Sequence, residues 1–70
     1  MQKKDLENIW CQVLDIESCP EDIPFLELGG DSLLAGELVM RINEKFNKNI
    51  HIITIFEHNT INKLFAEINR

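Results

Sequence analysis

One short segment, Leu28-Gly29-Gly30-Asp31-Ser32-Leu33, sits directly ahead of a long apolar repeat and limits what this chain can become. Two adjacent glycines let the backbone turn tightly and pass close to a neighbour, because neither carries a Cβ. Asp31 is a strong helix N-cap, and Leu34, Leu38 and Ile42 follow it at helical spacing. Ser32 is therefore expected at the mouth of a helix, its hydroxyl accessible beside backbone N–H groups and the positive end of the helix dipole. That setting suits a serine that holds an anionic group. It does not suit a serine that must act as a nucleophile alone.

Gly30-Asp31-Ser32-Leu33 also spells the signature of the GDSL esterases and lipases. A hydrolytic serine needs a general base, an acid to orient that base, and an oxyanion hole. The chain offers only His51 and His58 as imidazoles, and its 70 residues cannot build a multilayered α/β domain. Leu34 stands where a nucleophile elbow requires its second glycine. Ser32 reads as a substrate, not a catalyst.

Size and charge narrow the class further. Seventy residues make one domain, spanning 1–70, with a workable but marginal core. Twelve acidic against seven basic residues give a net charge of −5, which disfavours nucleic acid and suits basic protein partners. No stretch is long and apolar enough for a membrane span, and no apolar signal region follows Met1-Gln2-Lys3-Lys4, so a cytoplasmic monomer is expected. Cys11 and Cys19 are expected as reduced thiols, without zinc-ligand spacing, and no metal site is expected.

The periodicity predicts an all-α fold, a four-helix bundle of three main helices and one short one. Leu6, Ile9, Trp10, Val13 and Leu14 form the stripe of a first helix from about Leu6 to Asp15, with Trp10 as its anchor. Glu17 to Gly30 holds both prolines and no helical period, and is expected as a long ordered loop pinned by Phe25 and Leu28. The second helix is expected from Ser32 to Phe46, burying Leu34, Ala35, Leu38, Val39, Ile42 and Phe46. Leu33 and Met40 lie on the opposite side, with Gly36 and Glu37 between them, and gain nothing from being apolar unless a partner covers them. Asn47-Lys48-Asn49 ends that helix, Thr54 to His58 reads as one helical turn, and Thr60 caps a last helix carrying Ile61, Leu64, Phe65 and Ile68.

These residues together resemble the phosphopantetheine-binding carrier proteins, above all the peptidyl carrier (thiolation) domains of non-ribosomal peptide synthetases. Ile9-Trp10 with Val13-Leu14 is similar to the first-helix signature, and Phe25 through Ala35 resembles the modification motif almost position for position. Phe56-Glu57-His58-Asn59-Thr60-Ile61 with Leu64 resembles the closing signature. Asn59 replaces a frequent proline, and Pro24 precedes Phe25-Leu26 where a polar residue is more usual. Asp31 stands where many peptidyl carriers have histidine and is shared with acyl carriers of fatty-acid and polyketide synthesis. Gly29-Gly30 and Trp10 favour the peptide side.

The resemblance implies an acyl-carrier-protein-like bundle, non-catalytic itself, whose Ser32 is esterified with phosphopantetheine from coenzyme A. A separate magnesium-using phosphopantetheinyl transferase would make that bond, and the arm's thiol would hold an aminoacyl or peptidyl group as a thioester. Gly30, Asp31 and Leu33 are expected beside the attached group. The implied partners are an adenylation enzyme and condensation, epimerisation, tailoring or thioesterase domains. Leu33, Gly36, Glu37, Met40, Ile53 and Ile55 are the expected docking surface. The alternatives are an acyl carrier of polyketide or fatty-acid synthesis and an unmodified helical interaction module.

Overall fold

The computed structural model describes residues 2–70, and its regular elements are helical throughout. Helix α1 spans Lys3–Leu14, a 3-10 turn spans Phe25–Leu28, and α2 runs Ser32–Phe46. A short α3 covers Ile52–Glu57 and α4 covers Ile61–Ile68. Helix α1 packs against both α2 and α4, while α3 packs on α2. This is the expected bundle of three main helices and one short one.

Local chemistry sets each boundary. Helix α1 starts three residues before the apolar stripe because Gln2 and Asp5 form a capping box, the Gln2 amide donating to the Asp5 carboxylate at 3.3 Å. It stops at Asp15, whose left-handed backbone (φ 57°) lets the Asp15 amide donate back into the last turn. Helix α2 has the bounds the pattern indicates, with Asn47 ending it in the left-handed region at φ 54°. The α3 turn begins two residues earlier than Thr54, because the Thr54 amide already donates to the His51 carbonyl at 2.9 Å. Thr60 caps α4 as expected, its hydroxyl accepting from the Lys63 amide at 3.1 Å.

The core joins every element. Leu6, Ile9, Trp10, Val13 and Leu14 bury the α1 stripe; Ala35, Leu38 and Ile42 bury the α2 face; Ile55, Ile61 and Leu64 come from α3 and α4. Leu34, Val39 and Phe46 are half-buried and pack against this core from its edge. The buried Trp10 ring meets Phe25 edge-on, with centroids 5.3 Å apart and planes at 85°. Its Nε1 has no hydrogen-bond partner among the described residues. An orphan donor costs about 1–3 kcal/mol, so burial of the ring must outweigh it.

The connection from Glu17 to Gly30, expected as an irregular ordered loop, contains one regular element, the 3-10 turn that Pro24 starts. Pro24 is its N-cap residue, with φ −58° and an extended ψ of 145°, and its carbonyl accepts from the Glu27 amide at 3.0 Å. Phe25 and Cys19 from this connection are buried, whereas Ile23 and Leu26 remain exposed. Leu28 is half-buried and packs against the core from the same turn. Three bonds tie the connection to the far side of the bundle. The Phe25 amide donates to the Asn59 carbonyl at 2.8 Å, the Asn62 amide to the Glu21 carbonyl at 3.1 Å, and Asn62 Nδ2 to Asp22 Oδ1 at 2.6 Å.

Trp10→Ala and Leu38→Ala are each expected to lower stability by about 2–5 kcal/mol, the range for emptying a large core position. Urea denaturation measures this; a loss below about 1 kcal/mol in both would show that neither side chain anchors the core.

Candidate functional site

The loop before α2 gets its shape from Phe25 and the two glycines. Gly29 follows the 3-10 turn in the left-handed region at φ 100°, and its amide donates to the Leu26 carbonyl at 3.3 Å. The Gly30 amide donates to the Phe25 carbonyl at 3.0 Å, drawing the backbone over the Phe25 ring. A Cβ at Gly30 would collide with Cε2, Cδ2 and Cζ of that ring. Gly30, expected beside the attached group, is thus required first by the close approach of phenyl ring and backbone. Gly29 is required by its φ, since nothing would touch a Cβ there.

Asp31 then caps α2. Its backbone is extended, and its Oδ1 accepts from the Leu34 amide at 2.8 Å while its carbonyl accepts from the Ala35 amide at 2.8 Å. The side-chain bond secures one of the first-turn amides that a helix leaves unpaired. Ser32 is the first helical residue and is exposed, with the positive end of the helix dipole at its back. No hydrogen bond joins Ser32 to an imidazole among the described residues; His58 Nε2 instead lies 3.6 Å from the Glu67 carboxylate, and His51 is the N-cap residue of α3. Among the described residues no group of three or more His, Cys, Asp or Glu side chains could hold a metal ion.

Exposed apolar side chains lie on α2, which carries this serine, and on α3, which packs on α2. Leu33 is 82% exposed and Met40 56%, on the α2 face opposite Ala35, Leu38 and Ile42. Gly36 and Glu37 lie between them, Gly36 with open space where a Cβ would stand. Glu37 pairs with Arg41 at 3.6 Å, and Arg41 reaches across to Gln12 Oε1 at 3.3 Å. On α3, Ile53 is 61% exposed, but Ile55 is fully buried. Ile55 therefore leaves the docking set. Two positions apart on a helix are about 200° apart in direction, so Ile53 and Ile55 cannot share one surface. Ile52 and Phe56 are exposed on α3, as Ile53 is. The i, i+4 spacing of Ile52 and Phe56 was the signal in the sequence, lost among three isoleucines with only Thr54 and Glu57 as polar markers.

The chain's own thiols stand apart from this chemistry. Cys19 is buried, and that burial first, with the neighbouring Cys11 thiol and then Glu7 adding to it, pushes its pKa up from 9.0 to about 12. Cys19 is therefore a neutral thiol, held in an inert form.

With this geometry in view, the comparisons with known proteins agree. Residues 4–68 match the family model described as the phosphopantetheine attachment site. The chain belongs to the phosphopantetheine-binding family. That family carries a covalently attached phosphopantetheine group. One of the linear gramicidin synthase proteins of Brevibacillus parabrevis is 46% identical over 57 residues, which are 81% of this chain and 1% of that protein. Bacitracin synthase 1 of Bacillus licheniformis is 36% identical over 56 residues, 80% of this chain and 1% of its own length. The chain thus spans a small fraction of the curated relatives it matches. A solution structure of a docking-domain complex of the Pax non-ribosomal peptide synthetase superposes with a TM-score of 0.89 at 39% identity, covering 96% of this chain and 64% of that one. This phosphopantetheine-binding domain is therefore similar in both sequence and fold to parts of such synthetases.

Two substitutions separate the roles of the loop residues. Asp31→Ala should cost about 1 kcal/mol through loss of the cap. Gly30→Ala should cost more, about 1–3 kcal/mol, because the Phe25 ring must leave its seat against Trp10. Thermal denaturation ranks them, and an equal or smaller loss for Gly30→Ala would show that the ring yields freely.

Proposed function

We propose that Ser32 is the attachment point for phosphopantetheine and that the domain is a non-catalytic carrier in non-ribosomal peptide synthesis. The observation that carries this reading is an exposed serine at the first position of α2, on a loop held by Phe25, Gly30 and the Asp31 cap. The site fits the group: the hydroxyl is accessible, and the helix N-terminus favours an anion beside it. When attached, phosphopantetheine supplies a flexible arm ending in a thiol that holds the acyl or aminoacyl cargo.

The protein's residues do the rest. Ser32 offers its oxygen to the phosphate and has no base to activate itself, so a phosphopantetheinyl transferase must make the bond. Asp31 is already engaged at the Leu34 amide, and its part is to fix the start of α2 rather than to take the serine proton. Gly30 keeps Phe25 in place beneath the loop. Cys19, buried and neutral, does not compete with the arm's thiol for cargo. The resemblance to gramicidin and bacitracin synthases supports an aminoacyl or peptidyl cargo and adenylation and condensation domains as partners.

Leu33, Met40, Ile52, Ile53 and Phe56 form the surface on which those partners dock, with Gly36 leaving room for close approach. Covering one such side chain is worth roughly 1.5–3 kcal/mol to a complex. The Glu37–Arg41 pair beside them is half-exposed and contributes mainly orientation.

Incubation with coenzyme A, magnesium and a broad-specificity transferase should add the mass of one phosphopantetheine group, mapped to Ser32. Ser32→Ala should fold normally and gain none; modification at Ser18 or Thr60, or of the alanine variant, would overturn the assignment. Leu33→Glu and Met40→Glu should keep stability within about 0.5 kcal/mol yet slow aminoacyl loading, since each puts an unpaired charge into a desolvated contact. Melting and loading rate measured on the same cofactor-bearing variants check this. Lost stability, or unchanged loading and condensation, would remove these residues from the docking surface.

A further inference from the structure

The connection between α2 and α3 hangs on one side chain. Asn43 lies near the end of α2; its Nδ2 donates to the Ile50 carbonyl at 3.0 Å and its Oδ1 accepts from the Ile50 amide at 2.9 Å. Donor and acceptor of one amide are thus both committed to a single backbone residue seven positions later. Both bonds are partly buried, where water competes weakly. The backbone closes the near end of the same turn, with the Lys48 amide donating to the Asn43 carbonyl at 3.2 Å and Asn47 left-handed. Among the described residues, Asn43 makes the only side-chain hydrogen bonds to this connection.

Helix α3 is held just beyond its far end by the Phe25 amide on the Asn59 carbonyl, and just before its near end by Asn43 and the Ile50 side chain against the core. At six residues it is too short to sustain itself, and His51 gives it no side-chain cap. Ile55 alone among its residues is fully buried, so the direction of the helix about that side chain depends on how its two ends are tied. Ile52, Ile53 and Phe56 ride on the same six residues.

We propose that Asn43 is a positioning residue: by clamping Ile50 it sets the direction in which α3 presents Ile52, Ile53 and Phe56 alongside Leu33 and Met40. It thereby tunes how well the domain engages enzymes that act at Ser32. This rests on the docking reading above. The role demands asparagine chemistry, because aspartate keeps the acceptor for the Ile50 amide but places a negative oxygen against the Ile50 carbonyl. Glutamine carries the same groups one methylene too far out.

The test is steady-state kinetics of a broad-specificity phosphopantetheinyl transferase with coenzyme A, the carrier being the varied substrate. All variants are assayed well below their melting temperatures, so that each is fully folded. Asn43→Ala should raise KM for the carrier about fivefold with kcat unchanged, the effect of losing a net hydrogen bond's worth of preorganisation. Asn43→Asp should raise KM in the same direction. Ile61→Val, a core change on α4, should lower the melting temperature and leave KM alone. In a Leu33→Glu background, Asn43→Ala should add less than it does alone, as expected for residues serving one surface. An unchanged KM for Asn43→Ala while Leu33→Glu raises it, or an equal rise in Ile61→Val, would overturn the positioning role and leave the docking surface standing. An unchanged KM for Leu33→Glu would overturn docking of the transferase on this surface, and this role with it.

Discussion

The edge-on seat of Phe25 between the Trp10 ring and the Gly30 backbone is the contact on which the rest of this structure depends. It couples the largest core side chain on α1 to the loop that delivers Ser32. Around that ring the chain makes three commitments: the Phe25 amide bonds to Asn59, its carbonyl receives the Gly30 amide, and its side chain fills the core. A single residue therefore ties the long connection to α1, to the α3–α4 junction and to the start of α2. The serine is exposed, yet it stands on one of the most constrained segments of the domain.

The same economy explains how a domain this small separates stability from recognition. Helix α2 puts Ala35, Leu38 and Ile42 inward and Leu33 and Met40 outward, so one face serves the core and the other is the face proposed for partners. Helix α3 repeats the division in six residues, with Ile55 inside and Ile52, Ile53 and Phe56 outside. Keeping large apolar side chains in water has no stabilising return for an isolated domain, and this is the physical basis of the docking proposal. The thiols follow the opposite logic. Cys19 is withdrawn into the core and held neutral, while the reactive sulfur comes with the attached group.

Much of this was legible from residue spacing. The bounds of α2, the Asp31 and Thr60 caps, a left-handed asparagine in Asn47-Lys48-Asn49, and the outward Leu33 and Met40 all follow from capping rules and helical periodicity within a single helix. The start of α1 was less legible, because the capping box of Gln2 and Asp5 lies outside the apolar stripe that announces the helix. On α3, five of six residues from Ile52 to Glu57 are apolar or β-branched, so spacing could not say which isoleucine faces in.

The amino-acid sequence by itself determined a helical bundle with a serine at the head of its second helix, and the carrier role came from its resemblance to the phosphopantetheine-binding family. Capping, turn formation and amphipathic periodicity are short-range, and they were written out in consecutive residues. Only the tertiary structure decided that Ile55 is core while Ile52 and Phe56 are surface, and that Gly30 serves the Phe25 ring before any cofactor. It alone showed that Asn43 reaches Ile50 and that Cys19 lies beside Cys11. Each of these depends on how separate segments meet, and the direction of a short helix or the partner of a side-chain amide is set by long-range packing that no local pattern encodes.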